Sequence, residues 1–169
     1  MADDASRLER VSLDDLRLRA IAAEELHQRL HGIPVAVAGP LVEVQLTSKF
    51  AGLLAQHPDA VGLLLSESGA PVAYAVTADV VDSVAAVRLC DIAVSATARG
   101  RGIGGRLLSI ILGEADAAEA VVTLSVWHDA PARGWYERRG FVVAGGDGDG
   151  YLEMRRERAG EYPGIHSVA

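Results

Sequence analysis

Apolar and polar residues alternate in short runs of this chain and recur at three- and four-residue spacing in longer ones, and the two periods sort it into strands and helices. Leu16-Arg17-Leu18-Arg19-Ala20-Ile21 alternates and reads as a first strand. Ala22–Leu30 sets Ala22, Leu26 and Leu30 on one stripe, a helix stopped by Gly32 and Pro34. Val35–Pro40 reads as loop. Leu41–Ala55 reads as a second helix, with Val42, Leu46, Phe50, Leu53 and Leu54 at helical spacing and Pro58 beyond its end. Val61–Leu65 and Val72–Thr77 are predicted strands joined by a turn over Ser66–Pro71. Val80–Val87 fits a strand margin or a long connection, and Arg88–Val94 a strand. Ile103–Ala118 is predicted helical, with Ile103, Leu107, Ile110, Ile111 and Ala115 inward. Val121–Val126 is a further strand, Pro131–Arg139 a short helix, and Phe141–Val143 with Tyr151–Met154 a closing hairpin.

The first 12 residues and residues 157–169 read as tails around one domain spanning 13–156. No repeat or shift of composition marks a second domain. The order β α α β β β α β α β β predicts an α/β fold of the α+β mixed-sheet kind, one sheet flanked by helices and largely antiparallel in its first half.

Composition narrows the function. A chain of 169 residues, half of them hydrophobic, is enough for one folded domain with a real core. Aromatic residues make up only 5%, so that core is built of Ala, Val, Leu and Ile. A net charge of −7 and a pI near 5.2 speak against a nucleic-acid surface. Cys90 is the only cysteine; it lies in a predicted strand, reads as a buried thiol and suggests a reducing compartment. No apolar run approaches the ~20 residues of a membrane helix, and the N-terminus lacks the apolar stretch of a signal peptide. The expectation is a cytoplasmic protein, monomer or homodimer, with no nucleic-acid or membrane partner. No metal is expected: the five histidines form no ligand pattern, and the Gly145–Gly150 loop lacks calcium-loop spacing.

Local charge contrasts with this acidic average. Arg99-Gly100-Arg101-Gly102-Ile103-Gly104-Gly105 lies between a predicted strand and a predicted helix, with Arg106 beside it. Glycines let backbone N–H groups close around an anion. The helix start adds unpaired amides and the positive end of a dipole, and arginines add forked donors. This is a pyrophosphate cradle. Gly100-x-Gly102-x-x-Gly105 satisfies the dinucleotide fingerprint literally, but Ser95–Arg99 separates it from its strand and most of the chain precedes it. A P-loop is excluded because no Gly-Lys-Ser/Thr occurs.

The Arg-x-x-Gly-x-Gly run from Arg99 to Gly104, preceded by Asp91-Ile92-Ala93-Val94 and followed by Leu107-Leu108, resembles the acetyl-CoA-binding segment of the GNAT N-acetyltransferases. Ser125-Val126, Ala130-Pro131-Ala132 and Trp135-Tyr136-Glu137-Arg138-Arg139-Gly140-Phe141 resemble that family's later strand, helix and Tyr-x-x-x-Gly-Phe closing segment. The two blocks span Leu89 to Phe141 in family order. The resemblance implies a GNAT-like single domain with a splayed central sheet, acetyl-CoA as co-substrate, and direct acetyl transfer to a small-molecule or peptide amine. It implies backbone contacts from Ile92, Ala93 and Val94 to pantetheine. It further implies contacts from Arg99, Gly100, Arg101, Gly102, Ile103, Gly104 and Gly105 to the pyrophosphate. It places Tyr136 where the departing thiolate is protonated. For the base, Asp91 is the first candidate, with Glu43, Glu67, His128 or a chain of waters as alternatives, and its bland reading is a carboxylate paired with Arg88 or a backbone N–H. Asn is common in the family before the closing helix, where this chain has Asp129 and Ala130; Asp129 can instead cap that helix. A sensor that binds acetyl-CoA or CoA without catalysis, and a dinucleotide enzyme, are the rival readings.

Overall fold

The computed structural model describes residues 6–81 and 84–159. Seven strands form one mixed sheet in the order β1-β2-β3-β4-β5-β7-β6. Two compact units share it: one takes residues up to Ala78 with Cys90–Ser109, the other Asp79–Leu89 with Ile110 onward. Strand β4, Ala85–Val94, and helix α3, Ile103–Ala117, each run through both.

In the first unit, β1 is Arg7–Val11, within the stretch that reads as a tail. It pairs antiparallel with β2, Val61–Glu67, from Arg7 opposite Ser66 to Val11 opposite Gly62. The predicted first strand at Leu16–Ile21 is instead the start of helix α1, Leu16–Arg29. Two details select helix. Leu18, Ile21 and Ala22 are the buried positions, a three-and-four spacing, while Leu16 points to solvent. The Asp15 side chain accepts the Arg17 N–H at 2.9 Å and caps the first turn. Six alternating residues cannot separate the two periods by themselves.

Helix α2, Val35–Gln56, also takes up Val35–Pro40, expected to be loop. Ala38 extends the buried row Ala38, Val42, Leu46, Phe50 by one turn, and that burial outweighs the Ala36 carbonyl bond that Pro40 cannot make. Leu18, Ile21, Val42, Leu46, Phe50, Leu64, Tyr74 and Val76 form the core between the two helices and the sheet. Strands β2 and β3, Ala70–Val81, pair antiparallel across a two-residue turn, Ser68-Gly69, whose φ values of 49° and 80° match the hairpin twist.

In the second unit, Ala86–Arg88 of β4 pair in parallel with Val121–Thr123 of β5, Val121–Trp127. Strand β5 pairs antiparallel with β7, Tyr151–Arg156, which pairs with β6, Val142–Gly146. Val122, Leu124 and Val126 face inward, as do Leu152 and Met154, while Ser125 and Trp127 face solvent. Helix α4, Pro131–Glu137, lies between β5 and β6 in the chain. The element order is the one expected except at its start, where the first strand is Arg7–Val11 and not Leu16–Ile21. Most of the expected C-terminal tail lies outside the described residues. Among the described residues no helix is long and apolar enough to cross a membrane, and no three His, Cys, Asp or Glu side chains cluster as metal ligands would.

Candidate active site

The glycine turn is held from below by α1. Where β4 ends, Ser95 N–H donates to the Val72 carbonyl at 2.9 Å. Glu24 accepts from Ser95 Oγ at 3.0 Å and from the Ala96 amide at 2.5 Å. One 3-10 turn over Ala96–Ala98 follows. Gly100 and Gly102 then take φ values of 74° and 75°, where an L side chain is strained. A Cβ at either would meet no protein atom within 4 Å, so the space over the turn is open. Arg106 N–H donates to Gly102 O at 3.0 Å. The amides of Ile103, Gly104 and Gly105 therefore lie in the first turn of α3, ahead of any intrahelical acceptor. Amides, dipole and open space together suit a diphosphate.

The arginines are less free than the sequence suggests. Arg99 Nε donates to the Val94 carbonyl at 3.2 Å and its Nη1 to Gln28 at 3.2 Å. Arg101 and Arg106 share one carboxylate: Arg101 Nη2 lies 2.9 Å from Glu67 Oε2, and Arg106 Nη2 bonds Glu67 Oε1. Glu67, at the end of β2, is a buried carboxylate clamped by two guanidiniums rather than a base facing an amine. Three guanidiniums against the two carboxylates of Glu67 and Glu24 still leave the turn positive.

Asp91 of β4 has neither partner that its sequence context suggests. Its Oδ2 accepts from the Tyr74 phenol at 2.5 Å and lies 2.6 Å from Lys49 Nζ. Lys49 Nζ is 3.5 Å from Tyr74 Oη. Tyr74 is 1% exposed. Burial, then the Asp91 charge beside it, push its phenol well above the ordinary 10.0, so it stays protonated and donates. Tyr74 sits in an apolar strand run and is not marked in the sequence, and Lys49 stands out there only as the single lysine, with nothing to tie it to Asp91. Arg88 bonds Glu153, 2.5 Å away, and Ser125 instead. Hydrogen bonding from Arg88 holds the Glu153 carboxyl below its ordinary 4.5. Ile92, Ala93 and Val94 are half-buried, and Ala93 packs on the core of the first unit. Glu43 is exposed, 3.8 Å from Arg19.

Within the second unit, Tyr136 of α4 is 8% exposed. Its ring meets Trp135 at 4.9 Å and Phe141 at 5.6 Å, both edge to face. The Tyr-x-x-x-Gly-Phe spacing thus closes on itself, with Gly140 at φ 87° turning the chain back. Asp129 does not cap α4. The N-cap residue is Ala130, without a side-chain bond, and Pro131 follows it. The half-buried His128 accepts an Arg133 bond at its carbonyl, 3.3 Å away, and its ring lies 5.5 Å from Trp127.

A seven-stranded mixed sheet whose fourth strand runs through a glycine turn into a helix with open first-turn amides is the framework on which the comparisons bear. Residues 58–143 match the model of the acetyltransferase (GNAT) domain, and the chain belongs to that family of acyltransferases. Its fold is shared with the ribosomal-protein-S18-alanine N-acetyltransferase of Escherichia coli, 22% identical over 98% of this chain and 100% of that one, TM-score 0.61. The PaiA N-acetyltransferase of Thermoplasma acidophilum, solved with coenzyme A, is 14% identical over 90% and 99%, TM-score 0.65. An acyl-CoA N-acyltransferase of Pseudomonas aeruginosa is 23% identical over 90% and 99%, TM-score 0.57. No curated protein matches the chain in sequence.

Proposed function

We propose that this protein moves an acetyl group from acetyl-CoA directly to a primary amine, without an acyl-enzyme. The observation that carries the proposal is the turn at Gly100 and Gly102, where two left-handed glycines leave open space beside the first amides of α3. Those amides take the pyrophosphate, and the backbone of Ile92–Val94 takes the pantetheine arm. Because a backbone-held arm needs no particular side chains, the plain Ile-Ala-Val run suits it. Arg99 and Arg101 add positive charge at the same turn.

Transfer requires a neutral amine, and a free alkylamine has a pKa of about 10.4. Asp91, on the strand that carries the pantetheine contacts, is the group assigned to receive that proton. The departing thiolate needs a proton in return, and a phenol near pKa 10 suits it; Tyr136 is assigned that role. The acceptor is a small-molecule or peptide amine. Since the Escherichia coli enzyme of the same fold acts on the alanine of a ribosomal protein, a peptide with N-terminal alanine belongs in any acceptor panel, beside polyamines, aminoglycosides and amino acids.

The test is calorimetric titration with acetyl-CoA, followed by thiol release across that panel. Binding that is lost in Gly102→Val, with native circular dichroism, supports the cradle. Thiol release with at least one amine supports the enzyme. Tight binding with no release on any amine would instead identify a sensor.

A further inference from the structure

Lys49 is the only lysine in the chain, and every other cationic side chain apart from histidine is an arginine. Its Nζ stands 2.6 Å from Asp91 Oδ2. A general base works on an amine within roughly 2.6–3.2 Å, so the ammonium positioned on Asp91 is one that the protein itself supplies. Resting on the assignment of acetyl-CoA and Asp91 above, we propose that Lys49 is an internal acetyl acceptor and that the protein acetylates its own Lys49 Nζ.

Four observations converge on this residue. Phe50, the next residue on α2, is 2% exposed and fixes the helix at this point, and Lys49 Nζ lies 5.8 Å from the centre of its ring. The Lys49 side chain is 36% exposed, so the nitrogen is not sealed away from a donor. Tyr74 donates to the same Asp91 oxygen and so orients the carboxylate without competing for the proton. Asp91 immediately precedes the Ile92–Val94 run assigned to the pantetheine arm. A purely structural ion pair could also be made with arginine, the cation this chain uses everywhere else. A guanidinium, however, keeps its proton under all ordinary conditions and is no nucleophile. The one lysine in the chain stands at the one carboxylate assigned to deprotonate an amine.

In the step, the Lys49 ammonium gives a proton to the Asp91 carboxylate. The neutral nitrogen attacks the thioester carbonyl, the N–C bond forms and the C–S bond breaks. The CoA thiolate takes up the second proton that the attacking nitrogen loses, and Asp91 returns the first to solvent. The products are an Nε-acetyl-lysine, free CoA and one released proton. Holding the nucleophile within the fold makes the reaction first order in protein. Acetylation also cancels the positive charge beside Asp91, leaving the carboxylate to a second, external amine.

The experiment incubates the full chain with acetyl-CoA and no added amine, then reads intact mass and maps the peptide that contains Lys49. Urea-unfolded chain serves as the chemical control. Calorimetry with acetyl-CoA and an amine-panel assay run in parallel. Expected is a single acetyl group on Lys49, gained at a rate independent of protein concentration and roughly 10²-fold faster than in the unfolded chain, the scale of one general base. Lys49→Arg removes the modification. Asp91→Asn lowers its rate to that of the unfolded chain while acetyl-CoA still binds. If Asp91→Asn fails to fold, Asp91→Ser, which keeps an acceptor for the Tyr74 phenol but no base, lowers the rate in its place. Acetylation no faster than in unfolded chain, in a protein that binds acetyl-CoA and turns over an external amine, overturns the self-acetylation and leaves the enzyme assignment standing. A rate proportional to protein concentration overturns the intramolecular route. Absence of acetyl-CoA binding overturns both.

Discussion

At the scale of single residues, Glu67 and Tyr136 carry separate tests. Glu67 holds Arg101 and Arg106 together, so a bound phosphate must compete with a resident carboxylate for both guanidiniums. Glu67→Gln removes that competitor. CoA affinity at low salt is expected to rise roughly 3- to 10-fold, about 1 kcal/mol, and to fall more steeply as salt is added; titrations at several ionic strengths measure both. Tyr136→Phe keeps the ring that packs edge to face on Trp135 and Phe141. Acetyl-CoA affinity should change by less than about 1 kcal/mol, while turnover falls by roughly 10²-fold if the phenol protonates the thiolate. Full turnover in that variant would leave Tyr136 a core residue. The sequence could mark Tyr136, the glycines and Asp91, because spacing along one chain locates them. It could not mark Tyr74, the pairing of Lys49 with Asp91 or the clamping role of Glu67. Their partners lie far off in the chain, Asp91 for Lys49 and Tyr74, Arg101 and Arg106 for Glu67, and nothing local connects them.

At the scale of elements, the sequence failed where two structures share one short pattern. Six alternating residues at Leu16–Ile21 fit a strand, but Asp15 caps a helix there and Leu18 and Ile21 complete its buried stripe. The neighbouring β1 went unread because Arg7-Leu8-Glu9-Arg10-Val11 carries too few apolar residues to show a period. Elements with a full period, such as α3 and β5, were legible to within a residue or two. Gly62 shows what element packing demands. A Cβ there would stand 2.5 Å from Leu18 Cδ1 and 3.0 Å from Val11 Cγ2, so α1 and β1 approach β2 only because this residue has none. Gly62→Val is expected to destabilise the fold by roughly 1–3 kcal/mol, the range for overpacked cores, and thermal melting will show a lower Tm with donor binding retained below it.

At the scale of the whole molecule, stability should be sensitive to acid. Asp116 is held below its ordinary 3.8 chiefly by hydrogen bonds from Arg156, and Glu153 below its ordinary 4.5 chiefly by Arg88. A depressed folded pKa means that the unfolded chain binds the proton more readily. The stabilisation is therefore complete above the ordinary values and lost as pH falls below them. Urea melts should give a level midpoint above about pH 5.5 and a declining one from about pH 4.5 downward. Arg156→Gln should make the decline shallower, since Asp116 loses the main cause of its depression while Glu153 keeps its own.

From α2 onward the order of elements was legible, and with it the family. The sheet's last strand was legible too, but not its irregularity. Ala144 is skipped between Val143 and Gly145 in the pairing of β6 with β7, and Gly146 at φ 122° lies so close to Tyr151 that a Cβ there would stand 2.5 Å from its carbonyl oxygen. Val142 and Val143 are exposed on this outermost strand of the order. A straight apolar edge would offer a ladder for another chain to join. The bulge breaks that ladder after two residues, so the protein can leave two valines in water at its margin without inviting fibril growth from them.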